Sequence, residues 1–172
     1  MTDAPPPAPP GPARWPHRRA FRATYHDIDA LNHLNHAAYF PWMETLRCEY
    51  YLPLLGTDDP TRLDIIVAEA TARYLRPVAY GEEVEGEVAP ARPLGRTSFV
   101  LLYRFSKRGS GSAGKEDGRV EGGEEGGERE VVARGRTVIV TYDYARGAPT
   151  PIPPDRRAAL ERDAVDPASD GW

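Results

Sequence analysis

Residues 18–25 alternate, with Phe21, Ala23 and Tyr25 on one face and Arg22 and Thr24 on the other, which predicts a half-buried strand. The period then changes. From Asn35 to Tyr51, Ala38, Trp42, Leu46 and Tyr50 recur every four residues, and Tyr39 and Met43 widen the apolar stripe of a predicted helix. Proline in a helix interior costs ~3 kcal/mol, so Pro41 implies that this helix kinks there or begins later than Asn35, and it should end before Pro53. Residues 63–77 return to alternation as a long strand. Ile66, Ala68, Ala70, Ala72 and Tyr74 share one face, and the three alanines leave room for a bulky element such as a helix. Strands follow at 82–91, 97–105 and 130–144, with turn glycines in "AYGEE" and "PLGR". A short helix, "PPDRRAALE", closes the pattern with Pro154 near its start. Strand, helix, then four strands with hairpin-like links is an α+β class, with an antiparallel sheet wrapped on one long apolar helix.

Composition sets the limits of that unit. The 172 residues suit one domain with a proper core. Residues 1–16 hold seven prolines and read as a disordered tail. Residues 109–129 hold eight glycines and many acids, with Ala113 and Val120 as their only apolar side chains, and read as a disordered hairpin loop. The folded domain is therefore expected at 17–162, with 163–172 as a loose tail. No apolar run is long enough to cross a membrane, and the N-terminal stretch lacks the apolar core of a secretory signal. With one cysteine, Cys48, a cytoplasmic location is expected. A net charge of -4 argues against a general nucleic-acid binder.

The densest chemistry lies in "YHDIDALNHLNHAAYFPWMETLR", residues 25–47, which holds three of the four histidines. Three readings compete for it. His33 and His36 with His26, Asp27 and Asp29 contain zinc-type ligands, but their spacing matches no strong metal signature. The stretch also suits a polar strand-to-helix connection, with Asn32, Asn35 or His36 holding the helix start. The third reading is catalytic. A helix N-terminus offers free backbone N–H groups and partial positive charge that can hold a developing oxyanion. A carboxylate upstream, such as Asp29, can act as base or nucleophile. Those tools suffice to attack an ester or thioester without a metal, since a thiol with a pKa of ~8.5 leaves readily as thiolate.

The same residues carry a resemblance. Asp27-Ile28-Asp29, Asn32-His33-Leu34-Asn35-His36, Tyr39 and Glu44-Thr45-Leu46-Arg47 are similar to the opening motif of the hotdog-fold acyl-CoA thioesterases, specifically the 4-hydroxybenzoyl-CoA thioesterase-like group. "RYLRPVAYGEEVEGEV", "LGRTSFVLLY" and "PIPPDRRAAL" resemble later segments of that family in the same order, so the likeness runs through nearly the whole core. Two positions depart: Asn32 stands at the family's glycine, and His36 at its usual second asparagine.

The resemblance implies a hotdog fold, a curved antiparallel sheet wrapped around one long central helix, with subunits paired edge to edge into homodimers or homotetramers and active sites at the dimer interface. It implies hydrolysis of a fatty or aromatic acyl-CoA, with CoA as part of the substrate and no further cofactor or metal. Asp29 matches the nucleophile or general base, and the backbone amide of His36 matches the donor at the helix start. Asn32, His33 and Tyr39 become candidate substrate contacts. Arg96, Thr97 and Ser98 match positions that approach CoA from a neighbouring subunit, where Lys107 and Arg108 would add positive charge. Trp42, Met43 and Leu46, with a second subunit, are the expected walls of an acyl tunnel. A thioesterase for acyl-carrier protein and a non-catalytic acyl-CoA-binding dimer are the alternatives.

Overall fold

The computed structural model describes residues 15–109, 129–170 and 172. Strand β1 (His17–Arg22) leads through two short 3-10 turns, Tyr25–Asp27 and His36–Ala38, into the long helix α1 (Tyr39–Tyr51). There follow β2 (Ile65–Tyr74), β3 (Glu83–Ala91), β4 (Ser98–Arg108), β5 (Arg129–Asp143), β6 (Ala148–Pro149) and α2 (Pro154–Asp163). All strand pairs are antiparallel, in the order β1-β3-β4-β5-β2, with the short β6 on β5. The result is the α+β architecture that the pattern predicts, a curled antiparallel sheet around one long helix.

The links differ from the expectation in one respect. The connection from β2 to β3 is not a hairpin: it carries the chain from one edge of the sheet to a place beside the opposite edge strand. The two halves of the site described below lie in this crossing and in the one from β1 to β2.

The core forms where α1 meets the inward face of the sheet. On β4, Phe99, Leu101, Tyr103 and Phe105 alternate inward, all buried, against Met43 and Leu46 of the helix. Burying one such side chain contributes ~1.5–3 kcal/mol. The closest approach of helix and sheet falls at glycine. A Cβ at Gly135 of β5 would lie 2.1 Å from the Met43 sulfur, and one at Gly86 of β3 would lie 2.9 Å from a Leu46 methyl.

Several expectations are corrected. The alanines of β2 do not receive the helix: Ala68 and Ala70 are exposed and Ala72 half-buried, on an edge strand. Nor do all five alternating residues share a face. The register shifts between Val67 and Glu69, so Ile66 pairs with Val140 while Ala70, Ala72 and Tyr74 pair with Thr137, Gly135 and Ala133 of the opposite parity. One inserted residue reverses the side-chain alternation beyond it. Tyr25 is not on the core face but 81% exposed, because β1 ends at Arg22. Thr24 then donates its N–H and hydroxyl to Asp27 (2.9 and 2.6 Å), starting the first 3-10 turn. Pro41 falls in the first turn of a helix that begins later than Asn35, where its missing N–H needs no partner.

The proline-rich stretch to residue 14 and the glycine-rich segment 110–128 lie outside the described residues. The packed chain extends past both expected limits, 17 and 162. Trp15 is buried on the outer sheet face against Ala89, Ala91 and Leu102, with the Arg104 guanidinium 4.7 Å from its ring centre. Val165 is buried in the same cluster and bridges Ala91.

Candidate active site

Between β1 and α1 the chain doubles back. Ile28 and Leu34 pair as an isolated antiparallel bridge. Asn35 N–H donates to the Asp27 carbonyl (2.7 Å), Asp29 N–H to that of His33 (2.9 Å), and Asn32 N–H to that of Asp29 (3.0 Å). So tight a turn needs a residue at positive φ, and Asn32 supplies it at 61°. Asparagine enters this left-handed region more readily than other residues with a side chain.

The turn fixes the carboxylate of Asp29. Its Oδ1 accepts from Leu31 N–H at 2.9 Å, with His33 N–H at a long 3.5 Å. Among the described residues Oδ2 has no hydrogen-bond partner. The next residues start the helix. Asn35 caps it, its Oδ1 accepting from Ala37 N–H at 2.9 Å. The amide of His36, first in the turn that runs into α1, has no acceptor among the described residues. It is one of the free donors at a helix start, where the helix dipole favours negative charge.

Asp29 and His36 line the same open cleft, of about 370 Å³, with Leu34 and Tyr39 on their side. Tyr74 and residues 75–78, from the end of β2 and its crossing to β3, form the other wall. Two bonds join the walls: Leu34 N–H donates to the Val78 carbonyl (2.7 Å), and the Tyr74 hydroxyl to the His36 carbonyl (3.0 Å). Burial, with a smaller contribution from Tyr74, pushes the Tyr39 hydroxyl well above the ordinary tyrosine range, and burial raises that of Tyr74 too. Both stay neutral near pH 7. Arg76 sits on the rim with its Nε on Glu130 (2.9 Å).

The second wall is propped from behind. Lys107 Nζ donates to the Pro77 carbonyl (3.0 Å) and to Glu82 (2.8 Å), and Glu82 accepts from Ala79 N–H (2.7 Å). Burial pushes the Glu82 carboxyl up, but the bonds from Lys107 and Ala79 outweigh it and hold it below the usual glutamate range. Lys107 is thus engaged in holding this wall.

Of the residues singled out in the sequence, Asp29, His36 and Tyr39 come together in the cleft. Asn32 and His33 are exposed at the turn and do not line it. Trp42, Met43 and Leu46 are core residues under the sheet, and none of the three lines the cleft. Arg96, Thr97 and Ser98 lie at the other end of the sheet. Ser98 pairs with Val140, whereas Phe105 pairs with Ala133, the partner of Tyr74. Ser98 to Phe105 along β4 is roughly 23 Å of strand, so one chain alone does not bring these residues to Asp29. Among the described residues no cluster of three or more His, Cys, Asp or Glu side chains could hold a metal ion. Sequence reasoning missed Tyr74 and its neighbours as cleft residues. The available signal was the aromatic residue ending an alternating strand just before Pro77.

A residue whose carboxylate has one free oxygen and a residue whose helix-start amide is unpaired among the described residues thus line one cleft. That pair can deliver a nucleophile to an acyl carbon and hold the oxygen that gains charge. The profile of the thioesterase-like superfamily matches residues 23–160. A predicted thioesterase from Bacillus stearothermophilus superposes with a TM-score of 0.70 at 21% identity, over 87% of this chain and 97% of its own. A thioesterase from Thermus thermophilus, solved with coenzyme A and zinc, gives 0.66 at 25% identity, over 86% and 98%. The BH1999 gentisyl-coenzyme A thioesterase gives 0.61 at 24% identity, over 84% and 99%. No protein with a curated description matches the chain.

Proposed function

Because the chain belongs to the thioesterase-like superfamily and is a thioester hydrolase, we propose that its substrate is a fatty or aromatic acyl-CoA, which it hydrolyses to the free acid and CoA. The observation that carries this reading is the pairing of Asp29 and the His36 amide in one cleft. The coenzyme A in the Thermus thermophilus structure supports CoA as the thiol carrier.

In the reaction the thioester oxygen sits at the His36 amide. As general base, Asp29 takes a proton from water through its free Oδ2, and the water oxygen bonds to the acyl carbon. As nucleophile, the carboxylate bonds to that carbon itself and water later cleaves the anhydride. On either route the negative charge on the oxygen is held by the amide until the C–S bond breaks, and the CoA thiolate leaves and takes up a proton. Label from ¹⁸O-water found in Asp29 after a single turnover establishes the nucleophilic route, with water attacking the Asp29 carbonyl of the anhydride.

The proposal includes a homodimer. The outer edge of β2 has no strand partner among the described residues, and its Val67 and Tyr74 are exposed. Antiparallel pairing of two β2 edges about a two-fold axis would set the Ile65 end of one copy beside the Tyr74 end of the other. The 96–98 segment of the second copy would then approach the cleft, where arginine and hydroxyl side chains suit the phosphates of CoA. The absence, among the described residues, of any helix long and apolar enough to cross a membrane is compatible with a cytoplasmic enzyme.

The test is thiol release from benzoyl-, butyryl-, octanoyl- and palmitoyl-CoA, wild type beside Asp29→Asn. Turnover by the wild type that the variant lacks supports the assignment, and near-normal turnover by a folded variant sinks it. The same acyl groups on acyl-carrier protein test the choice of carrier.

A further inference from the structure

Tyr74 is the last residue of β2, on the inward face of the sheet, yet it is 44% exposed at the cleft. Its ring stands edge-on to His36 (centroids 6.2 Å apart) and tilted against Tyr39 (5.4 Å). Its hydroxyl donates to the His36 carbonyl at 3.0 Å. A strand thus grips the first turn of the helix at a single backbone atom. Among the described residues, the other side-chain bond to this turn comes from Asn35, which holds Ala37 N–H.

The carbonyl that Tyr74 holds belongs to the same residue as the amide that would face the substrate. Only the φ and ψ of His36 separate the two peptide planes, so fixing the carbonyl restricts the swing of the N–H. An oxyanion donor is effective to the degree that it is aimed before charge develops, because no reorganisation is then needed during reaction. A misaimed donor would still let substrate bind, since the Leu34–Val78 bond and the ring contacts of Tyr74 with His36 and Tyr39 still hold the walls together.

We infer that Tyr74 is a positioning residue for the reaction, its hydroxyl holding the His36 carbonyl so that the amide points at the thioester oxygen. The inference rests on the acyl-CoA reading above. Tyr74 touches no reacting atom. Phenylalanine at this position keeps the ring contacts with His36 and Tyr39 and removes only the bond.

The experiment uses the full-length protein and whichever of the four acyl-CoAs it turns over fastest. Tyr74→Phe should lower kcat about tenfold, the scale of one hydrogen bond, with KM and Tm unchanged. A second readout follows the carbonyl itself. Benzoyl-CoA bound to Asp29→Asn should show its thioester C=O stretch shifted to lower frequency than in solution. Adding Tyr74→Phe should move it back toward the free value. A wild-type kcat in Tyr74→Phe, a loss confined to KM, or an unmoved carbonyl stretch overturns the role of Tyr74 and leaves the acyl-CoA reading standing. No thiol release by the wild type from any of the four overturns the acyl-CoA reading, and this inference with it.

Discussion

The two ends of the curled sheet treat their polar groups in opposite ways. At the end where β2 starts and β5 finishes, polar atoms are buried and satisfied by one another. Thr141 is fully buried, its N–H and hydroxyl on the Thr97 carbonyl (2.9 and 3.0 Å) and the hydroxyl also on that of Thr150. Arg156 of α2 reaches the hydroxyl of buried Tyr51 (3.0 Å) and the carboxylate of Asp64. At the Tyr74 end, Asp29 and His36 line an open cleft, and the Oδ2 of the one and the amide of the other have no partner among the described residues. A buried polar group left unpaired costs ~1–3 kcal/mol, whereas one facing water does not. Polar groups are paired with one another at one end, and a carboxylate oxygen and a backbone amide have no partner among the described residues at the other.

Four substitutions probe that division, the most severe first. Asp29→Asn should reduce kcat by about 10²–10⁴-fold, the usual scale for a positioned base, with Tm within a degree or two of wild type. A large drop in Tm would mean that the carboxylate supports the fold as well. Arg156→Met acts at the other end. Chemical denaturation should show a loss of ~1–3 kcal/mol, as Tyr51 and Asp64 lose their shared donor, while kcat per folded molecule stays within about twofold. A kcat that fell in proportion would show the two ends to be coupled.

Glu82→Gln should do less, since Glu82 is partly solvated and such pairs contribute ~1 kcal/mol or under. Its folded pKa is lowered, so its contribution is complete above the unfolded value of about 4.3 and is lost as pH falls through the folded one. The stability gap between wild type and Glu82→Gln, measured from pH 7 downward, should therefore close at the acid end. A gap that stayed constant would assign it to packing. The smallest effect is expected from Asn32→Gly, which keeps the positive φ of the turn: kcat and Tm should scarcely change. A tenfold loss of kcat there would mean that the Asn32 side chain contacts substrate.

Much of this was legible in the sequence because period and chemistry pointed the same way. The alternating strands and the four-residue spacing of Trp42, Leu46 and Tyr50 marked the elements. The clustering of Asp29 and His36 around a helix start marked one wall of the cleft. What stayed hidden was non-local. A glycine-bearing turn looks alike whether the chain returns beside its last strand or crosses to the other edge, so "AYGEE" did not disclose the crossing. The parity change on β2 was hidden because a bulged residue has no distinguishing side chain when the whole run is alanine-rich. Tyr74 read as a face residue since its bond is to a backbone carbonyl far away in the chain, which composition and spacing do not encode.

The bond between Leu34 and Val78 also bears on how the protein is made. Asp29 and His36 leave the ribosome early, as a turn and a helix start with nothing opposite them. Their facing wall follows only with the β2–β3 crossing, and β2 itself has no strand to lie against until β5, the last long strand, has emerged. The cleft is therefore among the last parts of the domain to be completed during synthesis. A nascent chain that has already exposed Asp29 and His36 still lacks the Tyr74–Val78 wall opposite them.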